Sequence, residues 1–174
     1  MAILPQHAEL IRNVPNFPLP GVQFKDITPL LADSAAFRDV IDTLAERYTG
    51  AQVDIVAGVE SRGFIFSAPV AYRLGAGLVP IRKPGKLPTE TVQMEYSLEY
   101  GTNTLQMHRD AFAPGARVLL VDDLLATGGT IGAAAQLVEE LGGKIVELAF
   151  VIELSFLGGR QRLSNYPIFS LVQY

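Results

Sequence analysis

The stretch VLLVDDLLATGGTIGAAAQLVEELG, residues 118–142, decides how this chain is read. It opens on an apolar run, passes two adjacent carboxylates, Asp122 and Asp123, and turns at Gly128 and Gly129. Over 130–141 the residues Ile131, Ala134, Ala135, Val138 and Leu141 recur at helical spacing, and Gly142 and Gly143 stop the run. A strand, a loop over 124–129 and a helix are therefore expected. In an open α/β sheet, ligands bind beyond the carboxyl ends of the strands. A helix N-terminus there offers free N–H groups and the positive end of its dipole. The segment Ala126, Thr127, Gly128, Gly129 and Thr130 thus suits an anion, the glycines through close backbone approach and the threonines through their hydroxyls. Two acids at its edge would repel that anion. Their placement makes sense if the ligand also carries hydroxyls near its phosphate, because an ionised Asp only accepts hydrogen bonds.

Working outward, the same alternation recurs. An amphipathic helix is expected over 34–48, with Phe37, Val40, Ile41, Leu44, Ala45 and Tyr48 on one face, Asp33 or Ser34 as cap and Gly50 beyond its end. Runs rich in β-branched residues at 53–59, 77–82, 117–123 and 144–154 are strand candidates, and a helix over 63–74 joins the first two. The last two runs are almost continuously apolar, as in parallel strands covered on both faces. The fold expected is α/β, a mainly parallel central sheet flanked by helices, in one domain over 1–174. Two segments break the alternation. NFPLPGVQFKDITPLL (16–31) is proline-rich and reads as an extended cover. In the stretch 83–107, two alternating runs on either side of Tyr100-Gly101 read as an antiparallel hairpin.

Composition narrows the function. Hydrophobic residues make up 49% and charged ones 18%, which describes a globule with a core rather than a disordered chain. A net charge of −4 speaks against a sequence-independent nucleic-acid or anionic-membrane binder. With no cysteine there is no disulfide and no thiolate chemistry, and His7 and His108 are too far apart in sequence to suggest a histidine metal site. The first residues have no basic segment followed by an apolar core, and no apolar run reaches the ~18 residues of a membrane span. A cytoplasmic location is expected. Neither GxxxxGK with Ser or Thr nor GxGxxG is present, so the usual nucleotide loops are excluded.

What remains is one phosphate beside two acids, the pattern a ribose 5-phosphate satisfies. VLLVDDLLATGGT closely resembles the 5-phosphoribosyl-1-pyrophosphate (PRPP) signature of the type I phosphoribosyltransferases. PRPP also carries a pyrophosphate. GVESRGF (58–64) and IRKPGKLP (81–88), at successive strand ends, offer Glu60, Ser61, Arg62, Arg82, Lys83 and Lys86 for it. By themselves these are an ordinary turn and a solvated basic loop. The resemblance implies that the loop at Glu60-Ser61 contacts pyrophosphate and often contains a cis peptide.

PGVQFKDITPLL, ESRGF, RKPGKLP, YSLEYG and DDLLATGGT together resemble the adenine phosphoribosyltransferase family over nearly the whole chain. That resemblance implies transfer of the 5-phosphoribosyl group from PRPP to adenine N9, giving AMP and pyrophosphate. It further implies a hood over 1–33, a hairpin lid over 84–106, Mg²⁺ held by substrate and water with no side-chain ligand, and a homodimer. Asp122 and Asp123 would hold the ribose and residues 126–130 the 5-phosphate. Gln23, Phe24, Lys25, Arg62 and Leu154 would surround adenine, Gln23 through its backbone, although Leu154 fits plain core packing nearly as well. Glu99 would manage the proton at N7, Tyr100 would sit over the reacting centre, and Arg62 and Lys83 would assist the leaving group. Without the resemblance, Glu99 reads as a solvated hairpin charge. Some relatives have Val at the position of Gln23 and Asp at that of Glu60. Three alternatives stay open: an enzyme for another 6-substituted purine, a PRPP-sensing regulator of the same fold, and an unrelated phosphate-binding α/β protein.

Overall fold

Strands buried on both faces need apolar side chains at nearly every position, and the runs at the centre of this chain supply them. The computed structural model describes the backbone of residues 5–97 and 102–174. After a 3-10 helix, Pro5–Leu10, come β1 (Arg12–Pro15), β2 (Gln23–Asp26), α1 (Thr28–Ala32) and α2 (Ser34–Arg47). Then follow β3 (Ile55–Val59), α3 (Gly63–Leu74), β4 (Gly77–Ile81), and the hairpin strands β5 (Thr91–Ser97) and β6 (Thr102–His108). The chain continues through β7 (Arg117–Leu125), α4 (Gly129–Glu140), β8 (Lys144–Glu153), the 3-10 turn Ser155–Leu157, the short α5 (Gly159–Arg162) and β9 (Ile168–Gln173).

Five strands pair in parallel in the order β4-β3-β7-β8-β9. One face is covered by α2 and α3, whose Leu44, Phe66 and Val70 meet Leu119, Val121 and Val151 of the sheet. On the other face Ile131, Ala134 and Val138 of α4 meet Leu120 and Phe150. The base of the β5–β6 hairpin joins this second core through Val92, Leu105 and Met107, all buried. Asp33 caps α2, accepting from the N–H groups of Ala35 and Ala36 at 3.0 and 2.9 Å, a contact worth about 1 kcal/mol. At the other end of α2, Arg47 donates twice to Glu147 of β8, at 2.7 and 2.9 Å, and the Tyr48 hydroxyl donates to the same carboxylate at 2.7 Å. Helix and sheet are thereby locked in register.

Strand β4 lies at the edge of the sheet. The Gly77 N–H bonds to Asp54 and the Ile81 carbonyl to Glu60, so alternate residues of β4 face β3 and Pro80 faces outward. Just beyond it, Arg82 exchanges backbone hydrogen bonds of 2.9 and 2.7 Å with Gln106 of the hairpin.

The structure departs from the sequence reading at several places. β7 runs two residues past the acids, because Leu124 and Leu125 pair with Ile152 and Glu153 of β8, and the loop is correspondingly shorter than 124–129. The segment 16–31 is not extended throughout: Gln23–Asp26 turns back on Arg12–Pro15 as an antiparallel pair, and Thr28–Ala32 is helical. α4 begins and ends one residue earlier than expected. β9 is an added strand; its apolar run IFSLV carried a strand signal, and it closes the sheet beside β8.

Candidate active site

The site is assembled where β3, β4, β7 and β8 end. Asp122 and Asp123 lie near the end of β7, with the Asp123 side chain 7% exposed. Asp122 Oδ1 accepts from the Asp123 N–H at 2.9 Å. Burial and the neighbouring Asp123 charge push Asp122 well above the usual carboxylate range. Burial raises Asp123 as well, against the pull of the Arg62 guanidinium, whose Nε stands 2.9 Å from Asp123 Oδ2. That oxygen has no well-directed hydrogen-bond donor among the described residues. The pair is poised to receive donors, and hydroxyl groups are suitable ones.

After β7 the chain turns through Ala126 and Thr127 into α4. Its N-cap is Gly128, at φ +81°, a conformation that glycine alone adopts cheaply. No side chain caps this helix, so the N–H groups of its first turn are left for a ligand. Loop, acids and Arg62 line a cavity of about 200 Å³. Gly63, the first residue of α3, lets that helix start beside the acids: a Cβ there would stand 2.8 Å from Asp122 Oδ1.

One strand over, the Glu60 side chain is 5% exposed and accepts from Arg82 Nε at 2.8 Å, Lys86 Nζ at 3.0 Å and the Lys83 N–H at 3.2 Å. Burial alone would raise its pKa, but these donors together hold it below the usual carboxylate value. The Glu60-Ser61 peptide is cis. The Lys83 side chain is exposed and makes no ion pair among the described residues.

A second, largely apolar cavity of about 380 Å³ adjoins the first, and Arg62, Leu124 and Ala126 belong to both. Its other walls are Val22, Gln23, Phe24 and Lys25 on one side and Leu154, Phe156 and Leu157 on the other. Phe24 meets Phe17 edge-on at 5.1 Å, and the Arg62 guanidinium lies 5.2 Å from the centre of the Phe24 ring. Lys25 Nζ sits 3.5 Å above the Tyr174 ring, and partial burial lowers its pKa. Leu154 is at once a core residue and a cavity wall.

The chain that carries these two adjoining cavities has clear relatives. The phosphoribosyl transferase domain family matches residues 27–169. An adenine phosphoribosyltransferase of Roseiflexus sp. (strain RS-1) is 67% identical over 167 residues, 96% of this chain and 97% of the relative. The chain belongs to the adenine phosphoribosyltransferase family. The crystal structure of a member from Thermoanaerobacter pseudethanolicus superposes with a TM-score of 0.95 at 54% identity, covering 98% of this chain and 99% of the other. That of the Saccharomyces cerevisiae member, complexed with an imino-altritol bisphosphate and adenine, gives 0.91 at 39% identity, covering 95% and 96%.

Of the residues expected from sequence to line such a site, the structure gathers Asp122, Asp123, Arg62 and 126–130 in one cavity, and Gln23, Phe24, Lys25, Arg62 and Leu154 in the next. Arg82 and Lys86 are gathered by Glu60 rather than standing free. Glu99 and Tyr100 lie outside the described residues. Val22, Leu124, Phe156 and Leu157 were missed. Phe156, 68% exposed just after β8, is the one with a signal: a large apolar residue directly beyond a strand end.

Proposed function

We propose that this chain transfers the 5-phosphoribosyl group of PRPP to N9 of adenine, giving AMP and pyrophosphate. The observation carrying this reading is the wall of Arg62, Leu124 and Ala126 that the two cavities share. A ligand with phosphate in the loop and a planar base in the apolar slot must place its reacting carbon there. The yeast family member crystallised with adenine and a sugar-like bisphosphate supports the choice of base.

In this reading the 5-phosphate rests on the N–H groups of 126–130, and Asp122 and Asp123 accept from the 2′- and 3′-hydroxyls. The bond from C1′ to N9 forms as the bond from C1′ to a pyrophosphate oxygen breaks, with oxocarbenium character between. Charge builds on the departing oxygen, so fixed cations there lower the barrier. Arg62 and Lys83 take that role, while Glu60 holds Arg82 and Lys86 at the same strand ends and Ser61 adds a hydroxyl. The base gives up one proton, for which Glu99 is the proposed acceptor at N7, help worth ~10²–10⁴-fold. Tyr100 and the hairpin 84–106 act as a lid that excludes water, and 1–33 as a hood over the base.

Mg²⁺ is the proposed cofactor. Among the described residues no three His, Asp or Glu gather into a cage; Mg²⁺ takes a water-rich shell completed by phosphate oxygens, which PRPP brings with it. Bound with PRPP it would supply neutralising charge at the pyrophosphate, and it would be held through substrate and water rather than by a side-chain ligand. A homodimer sealed by exposed N-terminal residues such as Phe17 and Leu19, and a cytoplasmic setting, complete the reading. The test is a product assay with PRPP and Mg²⁺ against adenine, hypoxanthine, guanine and orotate. AMP from adenine, with little product from the others, is expected. Product from another base would overturn the acceptor, and PRPP binding without turnover would overturn the reaction.

A further inference from the structure

Behind the phosphate loop lies a partly buried polar network, centred on Glu153, that touches neither cavity. Glu153, the last residue of β8, is 3% exposed. It accepts from Arg160 Nε at 2.8 Å and from Arg160 Nη2, from Ser170 Oγ at 2.6 Å and from Gln173 Nε2 at 3.3 Å. Arg160 Nη1 also donates to the Ile168 carbonyl at 3.0 Å. The Arg160 side chain is 42% exposed and only the carboxylate is buried; such a pair adds little net stability, so its geometric effect is the informative one. What Arg160 holds is α5, a four-residue turn far too short to persist unaided.

That turn backs the loop. A Cβ on Gly159 would fall within 2.2 Å of the Ala126 carbonyl oxygen. On Gly128 it would meet Leu163 Cδ1 at 3.0 Å and the Gly159 carbonyl at 3.2 Å. The Ala126 carbonyl is therefore turned toward α5. Because the Ala126-Thr127 peptide is trans, the Thr127 N–H points the opposite way, away from α5. Were this peptide to rotate, an oxygen would face the anion in place of a donor. The residues between Glu153 and Arg160 also include Leu154, Phe156 and Leu157 of the apolar cavity, so one strut supports both walls.

We propose that Arg160, through its pair with Glu153, is a positioning residue that holds α5 against Ala126 and keeps the loop's N–H groups, rather than a carbonyl, facing the phosphate. The proposal rests on the reading of 126–130 as the 5-phosphate cradle. The experiment is calorimetric titration of the full chain with ribose 5-phosphate and, separately, with pyrophosphate. In Arg160→Met the ribose 5-phosphate dissociation constant should rise about 10- to 100-fold, as for misplacement of a binding group by an ångström or so. Pyrophosphate affinity should stay at the wild-type value, and Arg160→Lys should recover part of the loss. Should Arg160→Met not fold, Gly159→Ala, which displaces the Ala126 carbonyl directly, should show the same selectivity, and Ser170→Ala, which removes one donor to Glu153, the same at smaller amplitude. Wild-type ribose 5-phosphate affinity in these variants, or an equal loss of both ligands, overturns the proposal. A wild type that binds pyrophosphate but no ribose 5-phosphate overturns the cradle reading itself, and the proposal with it.

Discussion

At the scale of single residues, the site is held in a state the fold alone would not choose. Asp122, half-buried, and Asp123, buried, lie side by side with raised pKa values, and among the described residues Arg62 is the cation that offsets their charge. A carboxylic acid whose pKa is raised on folding stabilises the protein least once the pH has risen through that value. Asp122→Asn should therefore raise the melting temperature at neutral pH, by the equivalent of about 1 kcal/mol, while PRPP binding collapses. An unchanged or lower melting temperature would refute the strain. Gly63→Ala tests the same spot sterically, since the new Cβ would stand 2.8 Å from Asp122 Oδ1. Turnover should drop about 10- to 100-fold through that displacement, and wild-type kinetics would show that the acid can move freely. The acids and the glycines were legible in the sequence because their chemistry is local: a carboxylate beside a glycine turn announces itself. The grip of Glu60 on Arg82 and Lys86 was not, because it joins residues 22 and 26 positions apart whose meeting depends on β3 lying against β4.

At the scale of elements, helices were the most legible parts. Periodicity and a good cap located α2 within a residue, because a helix closes its hydrogen bonds within itself, and α3 was placed as the link between two strands. The end of β7 was misplaced for the converse reason, that a strand stops where its neighbour does. The clamp of Arg47, Tyr48 and Glu147 provides a test of how α2 is tied down. Burial and the Glu147 carboxylate push the Tyr48 hydroxyl above its ordinary value of 10.0. A group so shifted contributes stability that is complete below the unfolded pKa and drains as the pH climbs through the folded one. Tyr48→Phe should cost ~1 kcal/mol at about pH 8, from the lost hydrogen bond. It should also weaken less than wild type on moving to about pH 11. Equal losses in urea melts at the two pH values would remove Tyr48 from the clamp.

On the scale of the whole molecule, strand order was beyond the sequence. Nothing local says that β7 runs between β3 and β8, yet that arrangement places the glycine-rich loop beside the apolar slot. The hairpin was legible as a hairpin, but not as a part of the core. Met107 is fully buried under it, so Met107→Ala should destabilise the entire domain by about 2–5 kcal/mol in a denaturant melt. A loss under ~0.5 kcal/mol would mean the hairpin base is merely laid on the surface. If the hairpin is the lid, movement must then be confined to the span beyond Met94 and Leu105, since lifting Val92, Leu105 and Met107 into water would cost ~1.5–3 kcal/mol for each side chain. The same region guards the molecule against its own kind. An open sheet edge is a template for a second chain, and fibrils grow by adding strands to such edges. On β4 the outward positions are Leu78 and Pro80; Pro80 has no N–H to offer, and the next outward residue, Arg82, is already paired with Gln106. Replacing Pro80 by Thr would give that border a donor and a good strand former, and the variant should clump faster during refolding from urea, visible as scattered light.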